Sequence, residues 1–393
     1  MKRTILCLTL IFCCFGTAVS QETDPVVLSY KKIFIKASLL TKADILRDAA
    51  GVTGTDMGPV FIDALHFSIE SRPVLGNDPQ LIDLAVLGVT NIIKYNPKET
   101  IPLLWRIFDL FPEAKVRIPV AESLGAVGAG DRETIDRLNT FLLEQAASPE
   151  KADSSVVMAV VKTLGKFGDN SSFAPLFRVI TGNMRPGVIE AATAALNMIT
   201  EKYAENIISL IRTESLPGKL TAFHLAMKNS AVSDILKGEI AETALKIAIN
   251  MSESSQDVEQ LLLLRQFRQA AILAITGLRW TRASPQVIRY FYMTQTDYRN
   301  KLVNADVFIE SIECLGVMGT PEAAQTLSIY LGLLNSETEQ NNSYNEQVVL
   351  AVIAALGALG DKIAFDYLLY VSYLPYSDEI IAASRDALGR LTW

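Results

Sequence analysis

A short motif built around two glycines recurs along the chain, and it constrains the fold more than any other feature of the sequence. Its best copies read SLGAVGAGD, TLGKFGDN, CLGVMGTP and ALGALGDK. With four weaker copies, the apolar residues that precede the first glycine position are Leu87, Leu124, Leu164, Leu196, Ile275, Leu315, Leu356 and Leu388. Neighbouring copies are 32 to 41 residues apart, except for 79 residues after Leu196, which leave room for two units. A period of this length is typical of stacked helical pairs.

The last strong copy shows what the two glycines do. Apolar residues at three- and four-residue spacing predict a helix from Val348 to Leu359 with one buried stripe. Gly357 lies late in that helix and, without a Cβ, lets a neighbouring helix approach closely. Gly360 follows the helix, where a left-handed residue can end it, and Asp361 can cap the next helix. The turn positions of the four strong copies are Gly125, Gly128, Asp131, Gly165, Gly168, Asp169, Gly316, Gly319, Thr320, Gly357, Gly360 and Asp361.

Other units begin their second helix with different residues in the same role. Thr320 precedes Pro321, and Ser284 precedes Pro285, so Thr320 and Ser284 are predicted to be N-caps with proline in the first turn. No stretch shows the two-residue alternation of a β-strand. The sequence therefore predicts an all-α fold, a right-handed α-solenoid of about eight or nine antiparallel helical hairpins.

The first 20 residues have the pattern of a cleavable signal peptide. Lys2 and Arg3 precede an apolar core from Ile5 to Phe15, which is too short to span a bilayer. Small residues at Ala18 and Ser20 predict cleavage between Ser20 and Gln21. A lipid anchor on Cys13 or Cys14 is the alternative. No later stretch is long and uncharged enough to suggest a membrane span, so we expect an exported protein, periplasmic or secreted.

Cysteine content and charge exclude several classes of protein. Once the signal peptide is removed, Cys314 is the one remaining cysteine, so no internal disulfide can form, and its apolar surroundings predict a buried, inert thiol. The signal peptide carries two of the 36 basic residues and no acidic one, so the mature chain has 34 basic and 43 acidic residues and a net charge of −9. A surface with this excess of negative charge argues against nonspecific binding to nucleic acid.

The segment VVLAVIAALGALGDKIAFDYLLYVSYL resembles a HEAT repeat, in particular the short HEAT-like type also found in phycobilisome lyases. The resemblance extends from about residue 80 to 393, and residues 21–79 match poorly and are expected to form a helical N-terminal cap. It implies a HEAT- or armadillo-like superhelix that serves mostly as a protein-binding scaffold. The resemblance implies a structural role, not a binding role, for the turn glycines and Asp361. Many relatives have an arginine early in the first helix, which only Arg117 and Arg385 could match here.

The sequence offers little for catalysis. Its two histidines, His66 and His224, are far apart, and no metal-binding, phosphate-loop, dinucleotide or nucleophile-elbow motif is present. His66 is interpreted as a helix residue near a packing boundary rather than as a base. We therefore expect no metal, no cofactor and no enzymatic activity. A bilin lyase is the one enzymatic analogy that the resemblance offers, and export argues against it.

Two segments are candidates for partner binding. The segment from Arg279 to Lys301 gathers arginines and aromatic residues, the types enriched at interface hot spots. Its candidates are Arg279, Arg282, Arg289 and Tyr292. In the alternative interpretation, Val287, Ile288, Tyr290 and Phe291 pack in the core and the arginines are merely solvated.

The second segment, near the C-terminus, has tyrosines at positions 367, 370, 373 and 376. Steps of three residues cannot keep all four on one helix face. Tyr367 is expected to lie inside with Leu368 and Val371, and Tyr370 and Tyr373 to face a groove or the last repeat; core packing of this terminal unit is the alternative.

The sequence thus predicts an exported, noncatalytic scaffold that binds another protein or an extended peptide through its surface. An enzyme acting on a cell-envelope polymer and a purely structural oligomer are the alternatives. The first should show convergent carboxylates, and the second a large apolar patch at one end.

Overall fold

The computed structural model describes residues 24–95, 98–340 and 343–392. The predicted signal peptide, with Cys13, Cys14 and the Ser20–Gln21 cleavage site, lies outside the described residues. Within them the regular secondary structure is helical, apart from one isolated bridge between Asp361 and Thr392. The chain is therefore all-α.

The described residues form twenty α-helices, several of which are preceded or followed by a short 3₁₀ turn. In chain order they are α1 Pro25–Lys36, α2 Leu39–Gly51, α3 Gly58–Leu75, α4 Pro79–Ile92, α5 Ile101–Leu110, α6 Ala114–Val127, α7 Arg132–Ala147, α8 Ser154–Phe167, α9 Phe173–Thr181, α10 Pro186–Met198, α11 Tyr203–Thr213, α12 Leu216–Lys228, α13 Asp234–Ser254, α14 Val258–Leu278, α15 Ser284–Arg299, α16 Ala305–Gly316, α17 Pro321–Glu339, α18 Glu346–Leu359, α19 Phe365–Val371 and α20 Asp378–Gly389.

Contacts between residues divide the chain into two compact units, of which the first ends at Thr134 and the second begins at Ile135. In the first unit, α1 packs on α3 and α3 on α5, while α2 packs on α4 and α4 on α6. The contact of α3 with α4 joins the segment predicted as an N-terminal cap to the first helix of the predicted repeat region. Residues 21–79, where described, are helical as expected.

The second unit follows the same rule, because helices two apart in the chain are neighbours. Helices α12, α14, α16, α18 and α20 each contact the next in one series, as do α9, α11, α13, α15, α17 and α19 in the other. The two series meet where a helix of the second packs on the following helix of the first, as α15 does on α16. There the rings of Phe291, Phe308 and Tyr330 are 5.5 Å apart and join α15, α16 and α17 in one core.

The first glycine of the motif lies where a helix touches the helix two positions further along the chain, as α8 does with α10. A Cβ on Gly165 in α8 would stand 2.8 Å from the Cβ of Ala195 in α10. Gly316 faces Ala355 in the same way at 2.9 Å, and Gly357 faces Ala387 at 3.1 Å. These glycines allow the close approach that the sequence suggested for Gly357.

The second glycine of the motif is left-handed in three of the four strong copies. Gly168 and Gly360 directly follow the last residue of their helix, whereas Gly319 comes three residues after Gly316, where α16 ends. Gly168, Gly319 and Gly360 have φ of +63°, +63° and +65°, the left-handed region predicted for Gly360. The residue after each glycine then caps the next helical segment, as Asp361 does by accepting a hydrogen bond of 2.9 Å from the amide of Ile363. Asp169 and Thr320 do the same for Ser171 and Ala323.

Two turn residues differ from their predicted roles. Gly128 has φ of −92°, and Gly130 is the left-handed residue of that turn, since the loop is two residues longer than in the other copies. Asp131 still caps α7 through the amide of Thr134. Ser284 is not an N-cap, because a 3₁₀ turn over Thr281–Ala283 makes it the first residue of α15. Its hydroxyl instead hydrogen-bonds that of Thr320 at 2.8 Å.

At three places a lysine or arginine donates to the C-terminal carbonyls of the preceding helix; Lys42 and Lys219 are buried, and Arg117 is half-buried. Lys42, Arg117 and Lys219 each occupy the fourth position of their helix. Lys219 Nζ donates to the carbonyls of Ile211 and Arg212 at 2.8 and 2.9 Å, at the C-terminal end of α11. Lys42 donates to the carbonyls of Phe34 and Ile35 in the same way, and Arg117 Nε donates to that of Phe108. Arg117, a possible match to the arginine that many HEAT-like repeats have early in the first helix, thus caps the C-terminal end of α5.

Helix α14 is long and apolar enough, by length and composition alone, to cross a membrane. A third of this apolar stretch is buried, including Leu264, Phe267 and Ile272, which pack against neighbouring helices. Cys314 in α16 is fully buried as well, and this burial raises the pKa of its thiol to about 12. The thiolate is therefore strongly disfavoured there.

Candidate functional site

Helix α15 carries most of the first candidate segment, and it divides into a buried and an exposed face. Val287, Tyr290 and Phe291 lie in the core, as the alternative interpretation of this segment had it, with Ile288 half-buried. Tyr292 lies on the outside with 48% of its surface exposed. The segment therefore contributes to the core and also presents an aromatic ring to solvent.

The arginines of this segment are already engaged by acidic residues of the neighbouring helix in the series. Arg282 Nε lies 2.8 Å from a carboxylate oxygen of Glu242 in α13, and its Nη1 lies 3.3 Å from Glu239. The indole of Trp280 covers Gly238 and donates to Glu242 at 2.8 Å. The pKa of Arg282 is raised, mainly by its hydrogen bond to Glu242.

Arg289 and Arg299 are held in the same manner. Arg289 Nη2 lies 2.8 Å from Glu253 and donates to Asn250 as well, both in α13. Arg299 lies 3.9 Å from Glu337 in α17. These residues thus link α13, α15 and α17, so much of the positive charge of the segment is compensated within the chain. Arg279 is exposed at the end of α14 with φ of +49°.

The C-terminal tyrosines separate as their spacing requires. Tyr373 is 75% exposed and Tyr370 is 41% exposed, with the Tyr370 hydroxyl donating to Glu339 of α17 at 3.1 Å. Tyr376 is buried and donates to the amide oxygen of Asn335. Tyr367 is half-buried, with its ring over Gly332. Tyr370 and Tyr373 are therefore the two rings that face solvent.

Sequence reasoning missed a pocket that α14 forms with α15 and the chain leading into α16. It has a volume of about 170 Å³. Arg265, Arg268 and Asp297 provide its charges, and Leu262, Leu302 and Val303 are among its apolar walls. Arg265 Nε and Arg268 Nη2 both lie 3.4 Å from the same oxygen of Asp297. Two arginines three residues apart within the apolar run LLLLRQFRQAAILAI were the signal in the sequence, since i and i+3 share a helix face.

A second cleft lies in the first unit, between α1, α2 and α3. It has a volume of about 340 Å³ and is lined by Phe34, Lys42, Asp63, His66 and other side chains. His66 is exposed, and Lys42 is fixed over the rings of Phe34 and Phe67 at 4.4 and 4.7 Å. Burial lowers the pKa of Lys42. His224 is exposed on α12. In the part of the chain that the structure describes, no group of three or more His, Cys, Asp or Glu side chains could hold a metal ion.

Comparison with known proteins adds little to this geometry. No protein-family model matches the sequence, and no curated protein matches it significantly. One similar solved structure is the crystal structure of an engineered protein from the Northeast Structural Genomics Consortium. That protein is 13% identical, and the match has a TM-score of 0.35 over 93% of this chain and 98% of the other.

Proposed function

We propose that the chain is an exported, noncatalytic α-solenoid of the HEAT-like type that binds a protein or an extended peptide. The packing of helices two apart in the chain supports this arrangement, since each repeat of a solenoid contacts its neighbours in two parallel layers. The recurrent glycine–alanine contacts between successive helices of one layer also fit a stack of similar units.

One observation carries the binding role. Helices α15, α17 and α19 are consecutive neighbours in the second series, and each exposes large apolar or aromatic side chains. These side chains are Tyr292, Ile329, Leu333, Leu369 and Tyr370. Arg299 of α15 lies 3.9 Å from Glu337 of α17, and Tyr370 of α19 donates to Glu339 of α17, so polar contacts at the surface link the three helices. Exposed aromatic rings on packed helices are of the type enriched at hot-spot contacts with a partner.

Capture of a partner by the mature protein tests the proposal. We expect the double variant Tyr292→Ala/Tyr370→Ala to keep its melting temperature and to weaken capture by about 1.5 to 4 kcal/mol, the range of hot-spot residues. Ile235→Ala is the control, because it truncates a large exposed apolar side chain that lies on α13. Equal capture by both variants and the wild type would refute a binding surface on α15 and α19.

Arg289 provides a second, separable test of the same surface. Its ion pair with Glu253 is exposed, so Arg289→Ala should cost at most about 1 kcal/mol of stability. If Arg289 also contacts an acidic partner, capture should weaken in this variant and weaken further with salt, because exposed charges are screened. Unchanged capture would assign Arg289 a structural role alone.

The proposed export depends on the first 20 residues, and mass determination of the mature N-terminus tests it. We expect a chain that begins at Gln21. A lipid-modified Cys13 or Cys14 would show the alternative form of export, and an intact Met1 would refute export by this route.

A structural oligomer is a second candidate function, favoured by the surface of α1. This 12-residue helix exposes Val26, Leu28, Ile33 and Ile35, and the adjacent α2 exposes Leu40. Val26 with Ile33 and Leu28 with Ile35 form two exposed apolar stripes, one on each side of the buried Val27 and Phe34. Exposed apolar surface of this kind often marks contacts between chains. Sedimentation of the mature protein would show a concentration-dependent oligomer that Ile33→Glu/Ile35→Glu dissociates; a monomer at all concentrations would exclude this candidate.

A further inference from the structure

The pocket beside α14 contains two guanidinium groups whose hydrogen-bonding capacity is mostly unused. Arg268 is 95% buried, and its five N–H groups have two weak acceptors, Asp297 at 3.4 Å and the sulfur of Met293 at 3.6 Å. Its Nε is buried and has no hydrogen-bond partner among the described residues. Buried N–H groups normally donate to an acceptor, so the guanidinium of Arg268 has donors left for the acceptor atoms of a ligand.

Arg265 adds to this deficit. Among the described residues its one acidic contact is the same Asp297 oxygen, at 3.4 Å. Well-formed guanidinium–carboxylate hydrogen bonds are 2.7 to 2.9 Å long, so one carboxylate oxygen is shared loosely between two cations. The pocket can therefore accept a further anion without breaking a tight internal pair.

The charges that line the pocket favour an anion over a cation. Two arginines face one aspartate, which leaves one positive charge in excess. Glu310, which accepts a hydrogen bond of 2.8 Å from Gln269, is not among the lining residues. Burial lowers the pKa of Arg268, but arginine keeps its charge at physiological pH. Tyr290, whose ring lies 5.9 Å from the Arg268 guanidinium, has its pKa raised by burial and is neutral.

We propose that this pocket binds a carboxylate carried on a short apolar chain, with the carboxylate bridging Arg265 and Arg268. Leu262, Leu302, Val303 and Val307 would cover the carbon atoms. A volume of about 170 Å³ is close to the roughly 150 Å³ of a cavity that holds benzene, so the pocket fits about six non-hydrogen atoms, as in a carboxylate with two or three further carbons. A glutamate side chain of a peptide and a free short-chain organic acid share this chemistry. The site does not depend on the proposed partner-binding surface.

Calorimetric titration of the mature protein with small probes tests the proposal. Butyrate is expected to bind with a dissociation constant in the millimolar range, about 4 kcal/mol, whereas butylamine and inorganic phosphate are expected not to bind. N-acetylglutamate α-amide presents the same carboxylate as a peptide side chain. Tighter binding of this probe than of butyrate would identify a peptide as the source, and the reverse order a free acid. No binding of either carboxylate would overturn the proposal.

Variants assign the binding to these residues. Arg265→Met is expected to weaken butyrate binding at least about tenfold, since it removes one arm of the bridge. Asp297→Asn is expected to strengthen binding several-fold, because it removes the competing carboxylate, and a misfolded protein would not bind more tightly. Arg106→Met, a change of the same type at an exposed arginine of α5, is the control and should bind as the wild type does. Wild-type affinity in both Arg265→Met and Asp297→Asn would refute the site.

Discussion

Gly165 in α8 lies directly against Ala195 in α10, and a Cβ on Gly165 would stand 2.8 Å from the Cβ and 3.0 Å from the Cα of Ala195. In the motif, Gly165 follows the apolar reference residue of its copy, and Ala195 precedes that of the next copy. Gly316 with Ala355 and Gly357 with Ala387 have the same relation. Thr276 and Cys314 occupy these two positions in another unit, and the Thr276 hydroxyl donates to the carbonyl of Ile272 within its own helix. The same two motif positions thus face each other wherever these helices pack on the helix two further along the chain.

This contact predicts that Gly165→Ala destabilises the protein although alanine is the better helix former. The added methyl group must push apart two helix backbones, and such overpacking costs about 1 to 3 kcal/mol. Denaturant unfolding measures the change. Gly277→Ala is the matched control, because Gly277 also lies near the end of a helix but its Cβ would meet nothing within 4 Å. That variant should gain up to about 1 kcal/mol.

The partner residue allows a sharper test of the same contact. Ala195→Gly removes the atom that the new methyl group would strike, so the double variant Gly165→Ala/Ala195→Gly should be more stable than the sum of the single changes predicts. A coupling of at least about 0.5 kcal/mol is expected for residues in contact. Additive effects would show that the two helices are not in this register.

Gly360 predicts a different kind of cost, since its backbone rather than its neighbours excludes a side chain. With φ of +65°, Gly360→Val should lose about 1 to 3 kcal/mol, because a β-branched residue is strained in the left-handed region. Asparagine tolerates this region, so Gly360→Asn should lose clearly less. Melting curves of the two variants compare them, and equal losses would mean that the carbonyl of Arg390, 3.3 Å from a Cβ, is the obstacle instead.

The turns were predictable because their cause is local. A left-handed glycine and the capping residue after it lie within two positions of each other, so Gly360 and Asp361 could be assigned from the motif alone. The turn after α6 was misassigned for the same local reason, since the two extra residues moved the left-handed position to Gly130. The repeat was hard to follow between Leu196 and Ile275 because α13 and α14 have 21 residues each, far more than α9 or α11.

The partners of the charged side chains could not be predicted in this way. Arg282 meets Glu239 and Glu242 some 40 residues earlier in the chain, and that pairing depends on the offset between α13 and α15. The pocket of Arg265 and Arg268 requires the same knowledge, because Asp297 lies on another helix. Periodicity locates the helices, whereas these contacts depend on how far neighbouring helices slide along each other.

Lys219 provides a test of the buried cation caps. Lys219→Met keeps the length of the side chain but leaves the carbonyls of Ile211 and Arg212 without their donor, which should cost about 1 to 3 kcal/mol. Lys246→Met, an exposed lysine on α13, is the control and should change stability by less than about 0.5 kcal/mol. Denaturant unfolding at neutral pH compares the two. If Lys219→Met is as stable as the wild type, the hydrogen bonds of Lys219 only offset the free-energy cost of burying its charge. Burial of this charge also lowers the pKa of Lys219.

Tyr330 predicts how stability depends on alkaline pH. Burial in the cluster with Phe291 and Phe308 raises the pKa of its hydroxyl above the ordinary value of 10.0. The unfolded chain therefore releases this proton at a lower pH than the folded chain, so the stabilisation is complete below pH 10 and is lost as the pH rises toward the folded pKa. Tyr330→Phe removes this term and should change stability little at pH 8. Above pH 10, the wild type should lose up to about 1.4 kcal/mol per pH unit relative to Tyr330→Phe. Denaturant unfolding between pH 8 and 11 measures the free energy of unfolding of each protein. Tyr373→Phe changes an exposed tyrosine and is the control, and its free energy of unfolding should change with pH as that of the wild type does.

If Tyr330→Phe also shows the same pH dependence as the wild type, water reaches the Tyr330 hydroxyl in the folded protein.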